Sequence, residues 1–217
     1  MARICVIDYL KGNLASVQRG LADAGHDAFI SSKPQDILDA DGIVLPGVGS
    51  FADAMTTMNE LGQTQAIRSK VEAGAPFLGI CLGTQLIYEW GDEGCPTGQR
   101  MDGVGLLKGH VEHMPALTPD GRKLKVPHVG WNSVHIEHDN PLFNGIPNDS
   151  YFYFTHSYIG LPCNSEDVAC TTEHAQTFVS AVHRGNIYAT QFHPEKSSAL
   201  GMRMLANFGR IVEEAAR

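Results

Sequence analysis

The strongest constraint on the fold of this chain is a cysteine between two glycines, where an apolar strand turns into a helix. The run 79–83 reads Gly-Ile-Cys-Leu-Gly; it ends the apolar segment 76–80 and precedes a helical pattern carrying Leu86 and Trp90. A turn this sharp needs neighbours without a β-carbon, and it projects the central side chain above the sheet. The sequence therefore predicts a nucleophile elbow at Cys81, with the sulfur at a helix N-terminus that favours the thiolate.

The surrounding pattern predicts an α/β fold, with a parallel sheet covered by helices on both faces. In the first half we predict strands at 4–7, 27–30, 42–45 and 76–80, helices at 13–24 and 63–73, and a helix N-cap at Ser50. In the second half we predict strands at 123–136, 151–159, 168–172, 178–183 and 186–192, a hairpin turn at 184–186, a closing helix at 200–212, and an exposed loop at 91–101. The length of 217 residues fits a single domain, 1–217.

Composition argues against several classes of function. The formal net charge of −8 argues against a nucleic-acid groove, and no apolar run reaches the roughly 20 residues that span a bilayer. The five cysteines are odd in number and form no C-x-x-C pair, which favours a reducing, cytoplasmic location over a disulfide framework. His110 and His113 are spaced neither as in H-x-x-x-H nor as in a zinc finger, and the sequence contains no P-loop or dinucleotide motif. We therefore expect no metal and no cofactor.

A candidate base for the cysteine follows a later strand. Most free cysteines are small residues of the core, and we predict that role for Cys5. A catalytic role for Cys81 requires a general base near its sulfur. The run 191–195 reads Gln-Phe-His-Pro-Glu. In extended chain, His193 and Glu195 point to the same side, so the carboxylate can accept from the imidazole and favour the imidazolium. Local spacing alone leaves open a surface ion pair at a strand end.

These two motifs carry a resemblance to a known family. The run 79–85, which continues through Thr-Gln, and the run His-Pro-Glu at 193–195 resemble the two signatures of class I, or triad-type, glutamine amidotransferases. The resemblance covers essentially the whole chain, so we expect no fused synthase domain. It implies a flavodoxin-like α/β fold with a mixed central sheet, in which Cys81, His193 and Glu195 form the catalytic triad.

Further motifs resemble the glutaminase subunits of imidazole glycerol phosphate synthase. They are Asp-Tyr at 8–9 with Gly-Asn at 12–13, Pro-Gly-Val-Gly at 46–49, Pro-His-Val-Gly-Trp-Asn at 127–132, His-Ser-Tyr at 156–158, and the extension of the histidine motif through Lys-Ser to 197. The run 127–132 discriminates best. One departure is visible: this family often has glycine after Asp-Tyr, where Leu10 and Lys11 stand here. That departure affects the loop expected to face a partner and leaves the triad unchanged.

The resemblance implies a reaction and a partner. L-glutamine is hydrolysed to glutamate and ammonia through a cysteinyl thioester. The ammonia passes to a cyclase subunit, a β/α-barrel that forms a heterodimer with the glutaminase. There it is used to make imidazole glycerol phosphate and aminoimidazole carboxamide ribotide, a step of histidine biosynthesis.

Further site residues follow from the elbow and from the resemblance. Elbow geometry predicts the Leu82 N–H as one oxyanion donor, and the glycine-flanked turn with Val48 and Gly49 is a candidate second donor or a plain strand terminator. The family pattern implies a peptide flip at Val48 that responds to the partner. It also implies that Gln85 and the main chain of Ser157 and Tyr158, with Gly49, bind the substrate. Our candidates for the cyclase-facing surface are Asn13, Trp131, Asn132 and Lys196. His128 receives no catalytic role.

Other functions remain as alternatives. One is the glutaminase of anthranilate, aminodeoxychorismate or guanylate synthesis, against which the run 127–132 argues. Another is a cysteine peptidase or glutamyl hydrolase on a related scaffold, against which Gln85 and the full-length match argue. The last is a non-catalytic subunit that binds glutamine and signals, against which the intact triad argues.

Overall fold

The fold centres on a nine-stranded sheet accompanied by a separate four-stranded sheet. The computed structural model describes residues 1–117, 121, 123, 125–174 and 176–217. The strands are β1 (Arg3–Ile7), β2 (Asp27–Ser31), β3 (Gly42–Gly47), β4 (Phe77–Cys81), β5 (Trp90–Gly91), β6 (Met101–Asp102), β7 (Gly109–His113), β8 (His128–Ile136), β9 (Ser150–His156), β10 (Tyr158–Pro162), β11 (Val168–His174), β12 (Gln176–Arg184) and β13 (Ile187–Thr190). The helices are α1 (Leu14–Asp23), α2 (Pro34–Asp39), α3 (Phe51–Glu60), α4 (Gln63–Glu72), α5 (Leu82–Leu86) and α6 (Ser198–Ala215).

The large sheet is mixed, as the α/β prediction with a mixed central sheet requires. Its order is β2-β1-β3-β4-β13-β12-β11-β8-β9. The neighbours from β2 to β13 pair in parallel, and those from β13 to β9 pair antiparallel. The change of direction follows from the tight turn at Gly185 (φ +57°), which joins β12 to β13 as the predicted hairpin.

Helices bury both faces of the parallel part, which explains why its strands are apolar without alternation. In β1, Ile4 and Val6 belong to one apolar cluster, and Cys5 and Ile7 belong to the cluster on the other face. Successive side chains of a strand point to opposite faces, so a strand covered on both sides needs apolar residues at every position. The predicted core position of Cys5 is confirmed, because its side chain is fully buried.

The small sheet was not predicted, and it corrects one predicted strand. Its order is β10-β7-β5-β6. The single strand expected over 151–159 is broken at Ser157: β9 pairs with β8 in the large sheet, whereas β10 pairs with β7 in the small one. The Ser157 carbonyl accepts a hydrogen bond from the Met114 N–H at 2.8 Å, so tertiary pairing redirects the chain there.

The helix after Cys81 is shorter than its sequence pattern predicts. It ends at Leu86, and Trp90 lies in β5 rather than on the helix. The carbonyls of Leu86 and Ile87 accept bonds from Val104 and Leu106, at 2.7 and 2.8 Å, in place of a further helical turn. An apolar spacing of three or four residues cannot reveal that distant chain competes for these carbonyls.

The other strands and helices begin and end within a few residues of their predicted bounds. Two predictions need larger corrections: the start of one strand and the helix cap at Ser50. The strand expected from Lys123 begins at His128, and Leu124 of that segment lies outside the described residues. Ser50 stands at the N-cap of α3, but its side chain makes no capping hydrogen bond. The Glu93 carboxylate accepts from the Phe51 N–H at 3.2 Å instead. The segment 91–101 is a largely exposed loop, as predicted.

Candidate active site

Cys81 ends β4 in a strained conformation that aims its side chain away from the sheet. Its φ of +55° and ψ of −108° are unusual for a residue with a β-carbon, and α5 begins at the next residue. A β-carbon at Gly83 would lie 1.8 Å from the Leu45 carbonyl oxygen, so only glycine permits this close approach of α5 to β3. The predicted strand–turn–helix elbow is present, and the Leu82 N–H, as the first of the helix, has no intrahelical acceptor.

His193 and Glu195 lie beside this elbow because β13 pairs in parallel with β4. Thr190 is in register with Ile80, so the chain leaves both strands at the same edge of the sheet. The His193 Nδ1–H donates to Glu195 Oε1 at 2.8 Å, and the two side chains are only 2% and 1% exposed. This burial excludes the surface ion pair that local spacing left open.

The surroundings of His193 favour its charged form. Burial by itself lowers the pKa of His193, but the nearby Cys81 sulfur and the hydrogen-bonded Glu195 carboxylate outweigh burial and raise the pKa from 6.5 to about 9. The imidazole is therefore an imidazolium at neutral pH. With Nδ1 bonded to Glu195, Nε2 is buried without a hydrogen-bond partner among the described residues, and it is the ring nitrogen left to act on the sulfur.

A cavity of about 290 Å³ joins these groups. Its described lining contains the sulfur and histidine together with every predicted oxyanion and substrate residue: Val48, Gly49, Cys81, Leu82, Gln85, Ser157, Tyr158 and His193. The volume suits a small amino acid rather than a peptide. A larger cavity, about 550 Å³, lies between α1 and α6 and is lined by none of the predicted site residues.

Glu93 is a lining residue that the sequence did not reveal. It is the one acidic side chain among the described lining residues, and burial raises the pKa of its carboxyl. Its bond to the Phe51 N–H holds the carboxylate at the cavity. The sequence offers no signal for it, since Glu93 lies in a polar loop without a motif.

The turn at Val48 has its N–H directed to a tyrosine. The Tyr9 hydroxyl accepts from the Val48 N–H at 3.1 Å, and Tyr9 is fully buried. Gly49 follows with φ +105°, a conformation that favours glycine. In this arrangement the predicted second oxyanion donor is engaged outside the cavity. Leu10, which stands where the resembling family often has glycine, has φ +70° and is 70% exposed.

A pair of buried histidines extends from the cavity into β8. The His156 Nδ1–H donates to the Tyr158 carbonyl at 2.9 Å, so His156 Nε2 is left to accept from the His128 Nδ1–H at 3.0 Å. His128 Nε2 in turn accepts from the Asn132 amide at 3.3 Å. Burial lowers the pKa of His128 to about 3 and of His156 to about 4, each reinforced by neighbouring histidines, so both are neutral.

The candidate interface residues are only partly grouped. Trp131 is 51% exposed, and its ring lies 6.2 Å from that of Tyr153, over which the Lys196 Nζ sits at 5.9 Å. Asn132 points inward, donating to His128 and, at 2.9 Å, to the Glu173 carbonyl. Asn13 stands at the start of α1, which contacts the 3₁₀ turn Pro194–Lys196.

Metal-binding clusters and membrane-spanning helices are both missing from the described residues. No group of three or more His, Cys, Asp or Glu side chains is arranged to hold a metal ion there. No helix in the same part of the chain is long and apolar enough to cross a membrane.

Comparison with known proteins identifies the family. The family model described as glutamine amidotransferase class-I matches residues 5–212. The imidazole glycerol phosphate synthase subunit HisH of Moorella thermoacetica is 45% identical over 215 residues, which cover 99% of this chain and 98% of that protein. This chain belongs to the class-I glutamine amidotransferases. Within them it belongs to the HisH family, since HisH of Symbiobacterium thermophilum is also 46% identical, over 98% of this chain and 95% of the relative.

Solved structures share the amidotransferase fold at much lower identity. PurLQS from Thermotoga maritima has a TM-score of 0.71 at 18% identity, with both chains covered completely. The glutaminase domain of CTPS from Trypanosoma brucei has a TM-score of 0.66, also at 18% identity, covering 100% of this chain and 94% of that one. The expected class I amidotransferase fold is confirmed.

The neutral histidine pair predicts acid-sensitive stability. The unfolded chain takes up protons near pH 6.5, whereas His128 and His156 in the fold do so only near 3 and 4. Stability is therefore complete above about pH 6.5 and falls as the pH drops from there toward 4, by about 1 kcal/mol per histidine down to about pH 5.5. Urea unfolding of His128→Asn should show a smaller loss over that interval than the unchanged protein.

The exposed His135 provides the control. The Asp149 carboxylate raises the pKa of His135, the opposite direction, so His135→Asn should not reduce the acid loss. An equal acid dependence in the His128 variant and the unchanged protein would contradict the assignment of a buried neutral imidazole.

Proposed function

We propose that this chain is the glutaminase subunit of imidazole glycerol phosphate synthase, and that it acts as one domain with a cyclase as its heterodimeric partner. The observation that carries the proposal is the meeting of Cys81 with the buried His193–Glu195 pair at one amino-acid-sized cavity. Membership of the HisH family supports the pathway. The amidotransferase then hydrolyses L-glutamine, and the ammonia serves the synthase reaction.

The first half of the reaction uses the two charged partners at the elbow. The Cys81 thiolate attacks the side-chain carbonyl carbon of glutamine, and the carbonyl oxygen becomes an oxyanion. As that oxyanion collapses, the carbon–nitrogen bond breaks and the His193 imidazolium gives its Nε2 proton to the departing nitrogen. Ammonia leaves, and a glutamyl thioester remains on Cys81.

The second half returns the enzyme to its starting state. His193, now neutral, takes a proton from a water molecule that attacks the thioester carbonyl. The carbon–sulfur bond breaks, glutamate is released, and Cys81 and His193 are again an ion pair. Glu195 keeps the imidazole oriented and favours its charged form throughout both halves.

Oxyanion stabilisation needs a change at the Val48 turn. The Leu82 N–H lies at the elbow and supplies one donor to the developing charge. A second donor becomes available when the Val48 N–H leaves the Tyr9 hydroxyl and turns toward the cavity. Gly49 gives the turn the freedom for this rotation, and a partner that favours the rotated form activates the glutaminase.

The lining of the cavity binds the amino-acid head group of glutamine. The Glu93 carboxylate offers a counter-charge to the α-ammonium, and the main chain of Ser157 and Tyr158 offers hydrogen bonds to the same end of the substrate. The Gln85 amide is held toward the Tyr158 carbonyl, so it acts chiefly by shaping this wall.

The cyclase docks on the exposed aromatic surface of β8 and β9. Trp131, with Val129 at 56% and Tyr151 at 61% exposure, presents apolar area in a region flanked by Lys196. Trp and Tyr are enriched among the few residues that contribute most of the binding energy of an interface. Asn13 lies at the start of α1, the helix that contacts the Pro194–Lys196 turn, and Asn132 supports this surface from beneath.

Ammonia release tests the proposed function directly. Glutamate formation should be slow for the isolated chain and much faster with the cyclase and its nucleotide ligand bound. Cys81→Ala should reduce the stimulated rate by about a thousandfold or more, because no nucleophile remains. The control is Cys163→Ala, an exposed free cysteine outside the cavity, which should leave the rate unchanged. Stimulation by a chorismate-using synthase in place of the cyclase would overturn the pathway assignment.

The raised pKa of His193 predicts an alkaline limit. Since the imidazolium is the acid that protonates the departing nitrogen, kcat/KM should fall as the pH rises through about 9. In Glu195→Gln the negative charge that stabilises the imidazolium is gone, so the fall should move to lower pH. An alkaline limb at the same pH in both proteins would show that Glu195 does not control the protonation of His193.

We expect the hydrogen bond to the Tyr9 hydroxyl to lower the glutaminase rate in the absence of the cyclase. Tyr9→Phe keeps the ring but removes the acceptor of the Val48 N–H, which frees the turn to reorient. A neutral hydrogen bond contributes about 1 kcal/mol, so the glutaminase rate without cyclase should rise about fivefold. The stimulated rate should change little, because the reoriented turn no longer uses Tyr9. A resting rate that is unchanged or lower, with normal thermal stability, would contradict this role.

A further inference from the structure

A side chain outside the triad reaches the Cys81 sulfur. The Gln191 Nε2 lies 3.7 Å from Cys81 Sγ, within hydrogen-bonding range for sulfur, and Gln191 is 1% exposed. Its backbone N–H donates to the Ser180 carbonyl at 2.9 Å, which fixes its place beyond the end of β13. Gln191 stands two residues before His193, and the mechanism above gives it no role.

The orientation of this amide follows from the groups behind it. The Tyr158 carbonyl only accepts, so the Gln85 atom that meets it at 3.0 Å is the NH₂ group. The same NH₂ group contacts Gln191 at 3.0 Å, and the contacting atom of Gln191 is therefore its carbonyl oxygen. The other end of the Gln191 amide, which faces the sulfur, is consequently its NH₂ group. A main-chain carbonyl thus determines the orientation of both glutamines.

The sulfur lies between a donor and an acceptor. Gln191 presents its N–H to Cys81, whereas the Thr155 carbonyl oxygen lies 3.8 Å from Sγ as an acceptor. A thiol can donate to that carbonyl, but a thiolate is repelled by it and attracted by the amide. The amide therefore favours the charged form of the nucleophile and draws it to one side of the cavity.

We propose that Gln191 is a further residue of the reaction centre, which holds the Cys81 thiolate by an N–H···S⁻ hydrogen bond, and that Gln85 positions it. This proposal rests on the proposed function and adds to it a donor outside the triad and the oxyanion turn. Gln191 acts on the free enzyme before substrate binds, because the contact is made to the sulfur itself.

Two substitutions at position 191 separate charge from shape. In Gln191→Met both polar ends are lost and the side-chain length is kept. In Gln191→Glu an oxygen can still accept from Gln85, but the other oxygen faces the sulfur and repels the thiolate. The readout is the pH dependence of iodoacetamide alkylation at Cys81, followed by mass spectrometry of the peptide that contains it, so that the other cysteines do not contribute.

The expected order of the alkylation midpoints in the two variants is specific to a hydrogen-bond donor at the sulfur. The alkylation midpoint should rise in Gln191→Met and rise further in Gln191→Glu, where we expect about one pH unit. With the cyclase and its ligand bound, kcat should fall about tenfold in Gln191→Glu while KM for glutamine stays within about twofold. Midpoints equal to that of the unchanged protein in both variants, whatever their stability, would overturn the proposal.

A matched buried amide controls for loss of stability. The Asn207 amide donates to the carbonyls of Leu142 and Asn144, both at 2.9 Å, and lies outside the cavity lining. Asn207→Leu removes these two bonds and the bond that Asn207 Oδ1 accepts from Arg210, so it should lower the melting temperature without moving the Cys81 midpoint. A midpoint that moves equally in Asn207→Leu would show that the Gln191 effect is only structural and would overturn the proposal.

A double-mutant cycle tests whether the two glutamines act as one unit. Gln85→Met should also raise the midpoint, and Gln85→Met combined with Gln191→Met should raise it no more than Gln191→Met alone. Full additivity would contradict the positioning role of Gln85. Failure of the proposed function looks different: Cys81→Ala would then keep its glutamine turnover, whichever residue stands at 191.

Discussion

The parallel pairing of β4 with β13 is the interaction on which the site depends. It brings the ends of two strands that are about a hundred residues apart in the chain to one edge of the sheet, in a register that sets Thr190 beside Ile80. Cys81 lies at one end, and Gln191 and His193 lie beyond the other. A slip of one residue in this pair would turn the two side chains away from the sulfur, because strand side chains alternate between faces. The apolar clusters on both sides of the sheet oppose that slip.

A single main-chain carbonyl sets the hydrogen-bond directions of the polar side chains at the site. The Tyr158 oxygen accepts from His156 at 2.9 Å and from Gln85 at 3.0 Å. As an obligate acceptor it fixes a histidine tautomer in one direction and an amide orientation in the other. The hydrogen bonds that run through Gln85 end at the cysteine sulfur, and those that run through His156 end at Asn132 on β8. Buried networks of this kind are stable only when each member is satisfied, and here each member has one consistent assignment.

Strand β8 links the cavity to the exposed surface. Its alternation sends His128 and Asn132 inward and Val129 and Trp131 outward. Under the proposed function, a cyclase that docks on the outer side chains contacts the same strand that carries the inner arm of the network. In the same proposal, the Val48 turn, with Tyr9 beneath it, is a second place where docking would alter the cavity. Both features would then place control of ammonia release close to the surface where the ammonia is used.

Sequence patterns alone predicted the α/β class, most of the strands of the large sheet, the elbow at Cys81 and the His193–Glu195 pair. These are local features, since glycine placement, apolar runs and a two-residue spacing act over a few neighbouring residues. Tertiary structure decided the small sheet, the break at Ser157, the early end of α5 and the cavity role of Glu93. In each case a group distant in sequence competes for a hydrogen bond: the Met114 N–H takes the Ser157 carbonyl, and the Val104 N–H takes that of Leu86. The donor at Gln191 belongs to the same category, because its NH₂ group faces the sulfur only through Gln85 and the Tyr158 carbonyl. No pattern within either segment encodes a contact that exists only once the two are folded together.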